Sequence, residues 1–84
     1  MVTVTTLAKK IVQYGEQRYR LYYRLVYRET KGYGIEIVCK SSNVTERECV
    51  FIEGSKFRVT EIIRLFAEET VFPIALLETL ENYL

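Results

Sequence analysis

The chain has 84 residues, 49% of them apolar and 27% charged, with a net charge of +1. That length holds one hydrophobic core, burying roughly 60–65% of the surface the unfolded chain exposes. The composition excludes a disordered polypeptide, no apolar run approaches the ~20 residues of a membrane-spanning helix, and a pI near 7.7 excludes the uniformly basic character of a dedicated nucleic-acid-binding domain.

The charge is unevenly spread. Residues 1–56 carry a balance of +4 and residues 57–84 a balance of −3, and every acidic residue is a glutamate. In the opening MVTVTTLAKKIV the lysine pair follows the apolar residues instead of preceding them, which is not the order of a signal peptide. With two cysteines and no export signal, a reduced cytoplasmic setting is expected.

Thr3–Tyr14 is read as a strand, because Thr3, Val4, Thr5 and Thr6 are β-branched, with a short helical turn over Leu7, Ala8, Lys9, Lys10, Ile11 and Val12 as the alternative. A turn at Gly15-Glu16 follows. Arg18–Arg28 (RYRLYYRLVYR) then alternates almost perfectly. Tyr19, Leu21, Tyr23, Leu25 and Tyr27 fall on one face, and Arg18, Arg20, Tyr22, Arg24, Val26 and Arg28 on the other. A period of two is that of a strand with opposite-pointing side chains, so the first set joins a core while the second faces solvent.

Glu29–Gly32 reads as a hairpin turn, with Gly32 free to take positive φ. The strand Tyr33–Lys40 places Glu36 on the side of the arginines, where a cross-strand Arg–Glu pair is worth a few tenths to about 1 kcal/mol. Ser41-Ser42-Asn43 is a second turn, and Thr45–Glu53 a fourth strand. After Gly54-Ser55 the period changes. Val59, Ile62, Ile63, Phe66 and Ala67 form one helical face, with Ser55 as N-cap. Pro73 opens a second helix, whose stripe is Ile74, Leu77, Leu80 and Leu84, with Leu76 and Tyr83 off it.

The fold expected is α+β: a four-stranded antiparallel β-meander over residues 1–53, then two C-terminal helices over 55–84 packed on one face, all in one domain. Its core comprises Leu21, Leu25, Ile35, Ile37, Phe51, Val59, Ile62, Ile63, Phe66, Ile74, Leu77 and Leu80.

The Tyr33-Gly34-Ile35-Glu36-Ile37 strand and the closing helix Pro73–Leu84 together resemble a small family of Firmicutes proteins known only as a domain of unknown function. The resemblance covers roughly residues 17–84. Glu78 and Asn82 stand where the pattern leads one to look for Asp. What it implies is a fold and a bacterial or phage origin, and no activity.

The residues give little support to catalysis. With no histidine, neither Cys39 nor Cys49 has the base that a thiol nucleophile uses. Cysteines ten residues apart with scattered glutamates match no zinc spacing, so neither metal nor cofactor is expected. Cys39 reads as a core residue, although a disulfide to Cys49 across adjacent strands is conceivable. Glu46 and Glu48 share a strand face, as solvated strand glutamates commonly do. Gly32-Tyr33-Gly34 precedes a strand and is a turn, not a phosphate loop.

The Arg/Tyr strand is the feature above background. Arg18, Arg20, Tyr22, Arg24 and Arg28 are the binding residues expected. Arginine and tyrosine are enriched at protein–protein hot spots, and the expected function is a non-enzymatic, protein-binding regulator, a small bacterial or phage-type inhibitor or adaptor. The same residues could hold phosphates and stack on bases, so weak nucleic-acid binding is the alternative. A structural or assembly subunit, including a homodimer through the last helix, is a third reading. Against all of these stands a plain solvated face whose arginines prevent edge pairing.

Overall fold

The computed structural model describes residues 1–84. Strands β1 (Val2–Tyr14), β2 (Gln17–Arg28), β3 (Gly32–Lys40) and β4 (Thr45–Phe51) form one antiparallel sheet in the order β1-β2-β3-β4. Helix α1 (Lys56–Glu69) follows. A 3₁₀ turn (Pro73–Ala75), the short α2 (Leu76–Leu80) and a second 3₁₀ turn (Glu81–Tyr83) complete the chain. The meander with helices on one face is the fold expected from the sequence. Gly15 and Gly32 take φ of 60° and 81° at the first two turns, where their lack of a Cβ is needed.

The core lies between α1 and the odd-numbered residues of β2 and β3. Leu21, Tyr23, Ile35 and Ile37 are completely buried against Val59, Ile63 and Phe66 of α1. Burying side chains of this size contributes ~1.5–3 kcal/mol each. Ser55 caps α1 as its sequence suggests, its Oγ accepting from Arg58 N–H at 3.2 Å.

Strand β1 joins this arrangement through a bulge. Its register against β2 shifts between Thr6 and Ala8, leaving Leu7 as the extra residue. One inserted residue exchanges the faces of everything beyond it. Without it Lys10 would face away from the helix. With it, Lys10 pairs with Leu21 on the helix side, while Lys9 pairs with Tyr22 on the other.

Lys10 is thereby delivered to the C-terminus of α1. Its Nζ donates to Ala67 O at 2.8 Å and to Thr70 Oγ1 at 2.5 Å. The helix ends with Thr70 in the left-handed region, φ 58°, and Val71 N–H bonds back to Phe66 O at 3.0 Å. Glycine commonly takes this cap position, and a β-branched residue is strained there. The ammonium group offsets that strain by adding a second donor to Ala67 O, which already accepts from Thr70 N–H, and by bonding the threonine hydroxyl, where the helix dipole also favours a cation. Immediately beyond, the buried Tyr23 hydroxyl donates to Val71 O at 3.0 Å.

Four sequence expectations are corrected. Phe51 lies on the sheet face away from the helices, because Val50 and Ile52 are the β4 residues that pack towards the core. The final segment is not one continuous helix, and its apolar stripe has a different phase. Leu76 and Leu80 are buried and Tyr83 packs edge-on to Phe66, with ring centroids 5.6 Å apart. Ile74 and Leu77 are 88% and 56% exposed, and Leu84 points outward with them. Burial of Val71 and Pro73 at the corner sets this phase. Arg58 donates to Tyr83 O at 2.9 Å, and the Tyr83 hydroxyl donates to the Glu69 carboxylate, so the segment is held on α1.

The fourth correction concerns the cysteines. Cys39 is buried and pairs with Glu46, whereas Cys49 is exposed and pairs with Glu36. They sit on adjacent strands but on opposite faces of the sheet, so a disulfide between them is geometrically barred.

Two predictions follow from the corner between α1 and the sheet. Lys10→Met should lower stability by ~1–2 kcal/mol, read as a reduced denaturant midpoint at unchanged slope. The neighbouring Lys9→Met should cost no more than the ~0.5–1 kcal/mol of its contact with the Tyr22 ring. Burial, with a smaller effect from Cys39, pushes the Tyr23 hydroxyl up to about 12. An unfolded tyrosine titrates near ~10. Between these values the unfolded chain loses this proton and the folded chain keeps it. The contribution of Tyr23 is therefore complete below pH ~10 and is lost as pH rises towards about 12. Tyr23→Phe should cost ~1–2 kcal/mol at neutral pH by orphaning Val71 O and should flatten stability against pH in the alkaline window, measured by denaturation at stepped pH.

Candidate functional site: the uncovered sheet face

The helices occupy one face of the sheet, so the even-numbered residues of β2 emerge on a face that no element covers. Arg18, Arg20, Tyr22, Arg24 and Arg28 all lie on it, as their alternation requires. The register brings further cations beside them. Lys9 is opposite Tyr22, Lys40 opposite Arg20, and Arg47 opposite Val38 in the same cross-strand row as Tyr22. Lys31 projects from the β2–β3 turn over the ring of Phe51, 5.4 Å from its centroid.

Two aromatic rings organise these charges. Tyr22 is surrounded by Lys40 at 5.5 Å and by Lys9 and Arg24, each at 5.7 Å from the ring centroid. Phe51 carries Lys31 and also Arg28, at 5.8 Å. Each cation–π contact contributes ~0.5–1 kcal/mol at exposure of this kind. The rings also shield aliphatic residues that the sheet would otherwise leave bare. Val38 and Val26 are 0% and 4% exposed although no helix touches their face. Phe51 settles beside Val26 because its neighbour is Gly34. A Cβ at Gly34 would meet Phe51 Cδ1 at 2.9 Å and Val50 O at 2.8 Å, so only glycine admits the ring there.

One carboxylate opposes this field. Glu36 accepts from Arg24 Nη1 at 3.4 Å, the single ion pair in the molecule. The pairing is the one read from the hairpin register. Arg24 is the least exposed of the arginines on this face, and its Nε is buried with no protein acceptor. Arg18, Arg20, Arg28, Lys9, Lys40 and Arg47 have no carboxylate partner. Exposed Val2, Val4 and Ile11 of β1 border the patch.

Chemically, this surface offers hydrogen-bond donors and positive charge on a rigid central strand. It carries no nucleophile with an adjacent base. Cys49 lies at its margin, where burial first and then the Glu36 carboxylate raise its thiol pKa, against a smaller lowering by Arg28. The thiolate is thus disfavoured. No group of three or more cysteine, histidine, aspartate or glutamate side chains is placed to hold a metal ion, and no helix is long and apolar enough to cross a membrane.

Sequence alternation located the β2 residues of this face. It missed Lys9, Lys40, Arg47 and Phe51, which come from neighbouring strands. Lys40 and Arg47 follow from hairpin register once the turns are placed. Lys9 depends on the bulge, which nothing in the β-branched run announces.

No curated protein and no solved structure matched the chain. A family model described as a family of unknown function (DUF6514) matches residues 2–84, taking in β1 as well as the strands and helices that follow. The chain belongs to that family.

Proposed function

We propose that this protein is a non-enzymatic binding module, a small bacterial or phage-type regulator of the reducing cytoplasm, that masks an acidic protein surface with its uncovered sheet face. The observation carrying this reading is the set of cations without carboxylate partners grouped around Tyr22 and Phe51. On most sheets an exposed face mixes both signs. Here Glu36 is the one strand carboxylate among Lys9, Arg18, Arg20, Arg24, Arg28, Lys40 and Arg47, with Glu16 at the turn beside Arg18 and Arg20.

Such a field accelerates encounter with an acidic partner and fixes its orientation. Affinity then comes from the centre of the patch. Tyr22 and the arginines supply large contact area at modest entropic cost, as hot-spot residues do. Two features favour protein over single-stranded nucleic acid. Both rings are already covered by cations, so a base would have to displace them to stack. The exposed Val4 and Ile11 extend the patch with aliphatic surface that suits a protein.

The test is affinity capture from native host lysate, with and without nuclease, by the wild-type chain and an Arg20→Glu/Arg28→Glu variant. Both positions are exposed, so the fold should survive. One stoichiometric acidic protein should be retained after nuclease, lost with the charge-reversed variant, and bound at least about tenfold more weakly by Tyr22→Ala. Partners that vanish with nuclease would replace this reading with nucleic-acid binding. Capture unchanged by charge reversal would make the face ordinary solvated surface.

A further inference from the structure

We propose that the groove between β4 and the C-terminal segment is a second binding site, which takes an extended basic peptide as an additional strand on the β4 edge. It is independent of the cationic face and lies on the helix side of the sheet.

Strand β4 is the last in the order β1-β2-β3-β4, so one side of its backbone has no partner. Ile52 N–H donates to Tyr33 O at 3.1 Å. Successive residues of an antiparallel strand turn their polar groups to alternate sides. The N–H and C=O groups of Arg47, Cys49 and Phe51 therefore point to the free edge, ready to pair with an incoming strand.

Side chains on the helix side give that strand its specificity. Leu77 stands at the junction of two adjoining cavities of about 470 and 520 Å3 along β4. Towards Val50 and Ile52 the wall is apolar, formed by Leu77, Leu80 and Leu84. Towards Glu46 and Glu48 it is lined by two carboxylates and by Arg47, whose position on β4 belongs to the opposite sheet face, and it is closed by Pro73 and Ile74. Glu53 and Glu81 add further negative charge at the apolar end, and none of these glutamates is ion-paired. Exposure of Ile74, Leu77 and Leu84 beside an open strand edge is otherwise an aggregation hazard.

These features prescribe the occupant. A strand antiparallel to β4 would set apolar helix-facing residues beside Val50 and Ile52, and basic ones beside Glu46 and Glu48. The peptide Val-Thr-Ile-Thr-Lys-Thr-Lys, with blocked ends, has this pattern. Its counterpart Val-Thr-Ile-Thr-Glu-Thr-Glu reverses only the charge.

The experiment is titration of the isotope-labelled full chain with each peptide, followed by NMR. The lysine peptide should produce saturable shifts at the amides of Arg47, Cys49 and Phe51 and at the Leu77 methyls. The glutamate peptide should bind at least about tenfold more weakly, as should the lysine peptide to Leu77→Glu, a change at an exposed position. Cys49→Pro removes an outward N–H while sparing the β3 ladder, and should abolish the shifts. No saturable response, equal response to both peptides, or shifts centred on Arg20, Tyr22 and Lys40 with the Leu77 methyls unmoved would overturn the proposal. So would a sedimentation result showing that a second copy already fills the groove.

Discussion

The structure turns on the contact between Lys10 and the end of α1. The helix terminates on Thr70 in the left-handed region instead of on glycine, and the Ala67 carbonyl in its last turn and the Thr70 hydroxyl are met by the ammonium group of Lys10 on the first strand. Tyr23 fixes the next residue through Val71 O. These bonds join the first strand and the central strand to the helix corner, across 60 and 48 residues of sequence. The bulge at Leu7 makes them possible, because it turns Lys10 and not Lys9 towards the helix. The C-terminal segment then docks on α1 in the phase that Val71 and Pro73 impose.

With the helical layer held on one side, none of the elements of residues 1–84 covers the other. The bare face is stabilised by its own side chains. Phe51 closes over Gly34, Tyr22 and its flanking stems shield Val38, and cations sit over both rings. Charge is segregated accordingly. Most cations populate the open face, while the β4 glutamates Glu46 and Glu48 and those of α1 and the last segment lie on the helix side. A near-neutral net charge thus conceals two fields of opposite sign. Because the cationic field is built on β2, a central strand paired on both sides, its geometry is rigid.

What the sequence made legible follows from periodicity. In β2 every second residue is a tyrosine or leucine that must be buried, so the face of each arginine could be read directly. The α1 stripe from Val59 to Phe66 was equally plain. Two phases were not. In β1, threonine, valine and lysine suit either face, and the bulge that chooses between them leaves no mark in composition. In Pro73–Leu84, the sets Ile74/Leu77/Leu84 and Leu76/Leu80/Tyr83 both satisfy helical spacing. Only the corner at Thr70 and Val71 selects the second. The same ambiguity misplaced Phe51, whose neighbours Val50 and Ile52 are as apolar as it is. These are failures of phase, each settled by a long-range contact that local pattern does not encode.

The central claim is that the uncovered face, and not the helix side, is where an acidic protein-like chain binds. The most direct measurement is an NMR titration of the labelled protein with poly-glutamate at physiological salt. The account predicts saturable shifts at Arg20, Tyr22, Arg28 and Lys40 and along the outer side of β1, with α1 unmoved. Shifts centred on α1 or the C-terminal segment, or none that saturate, would contradict it.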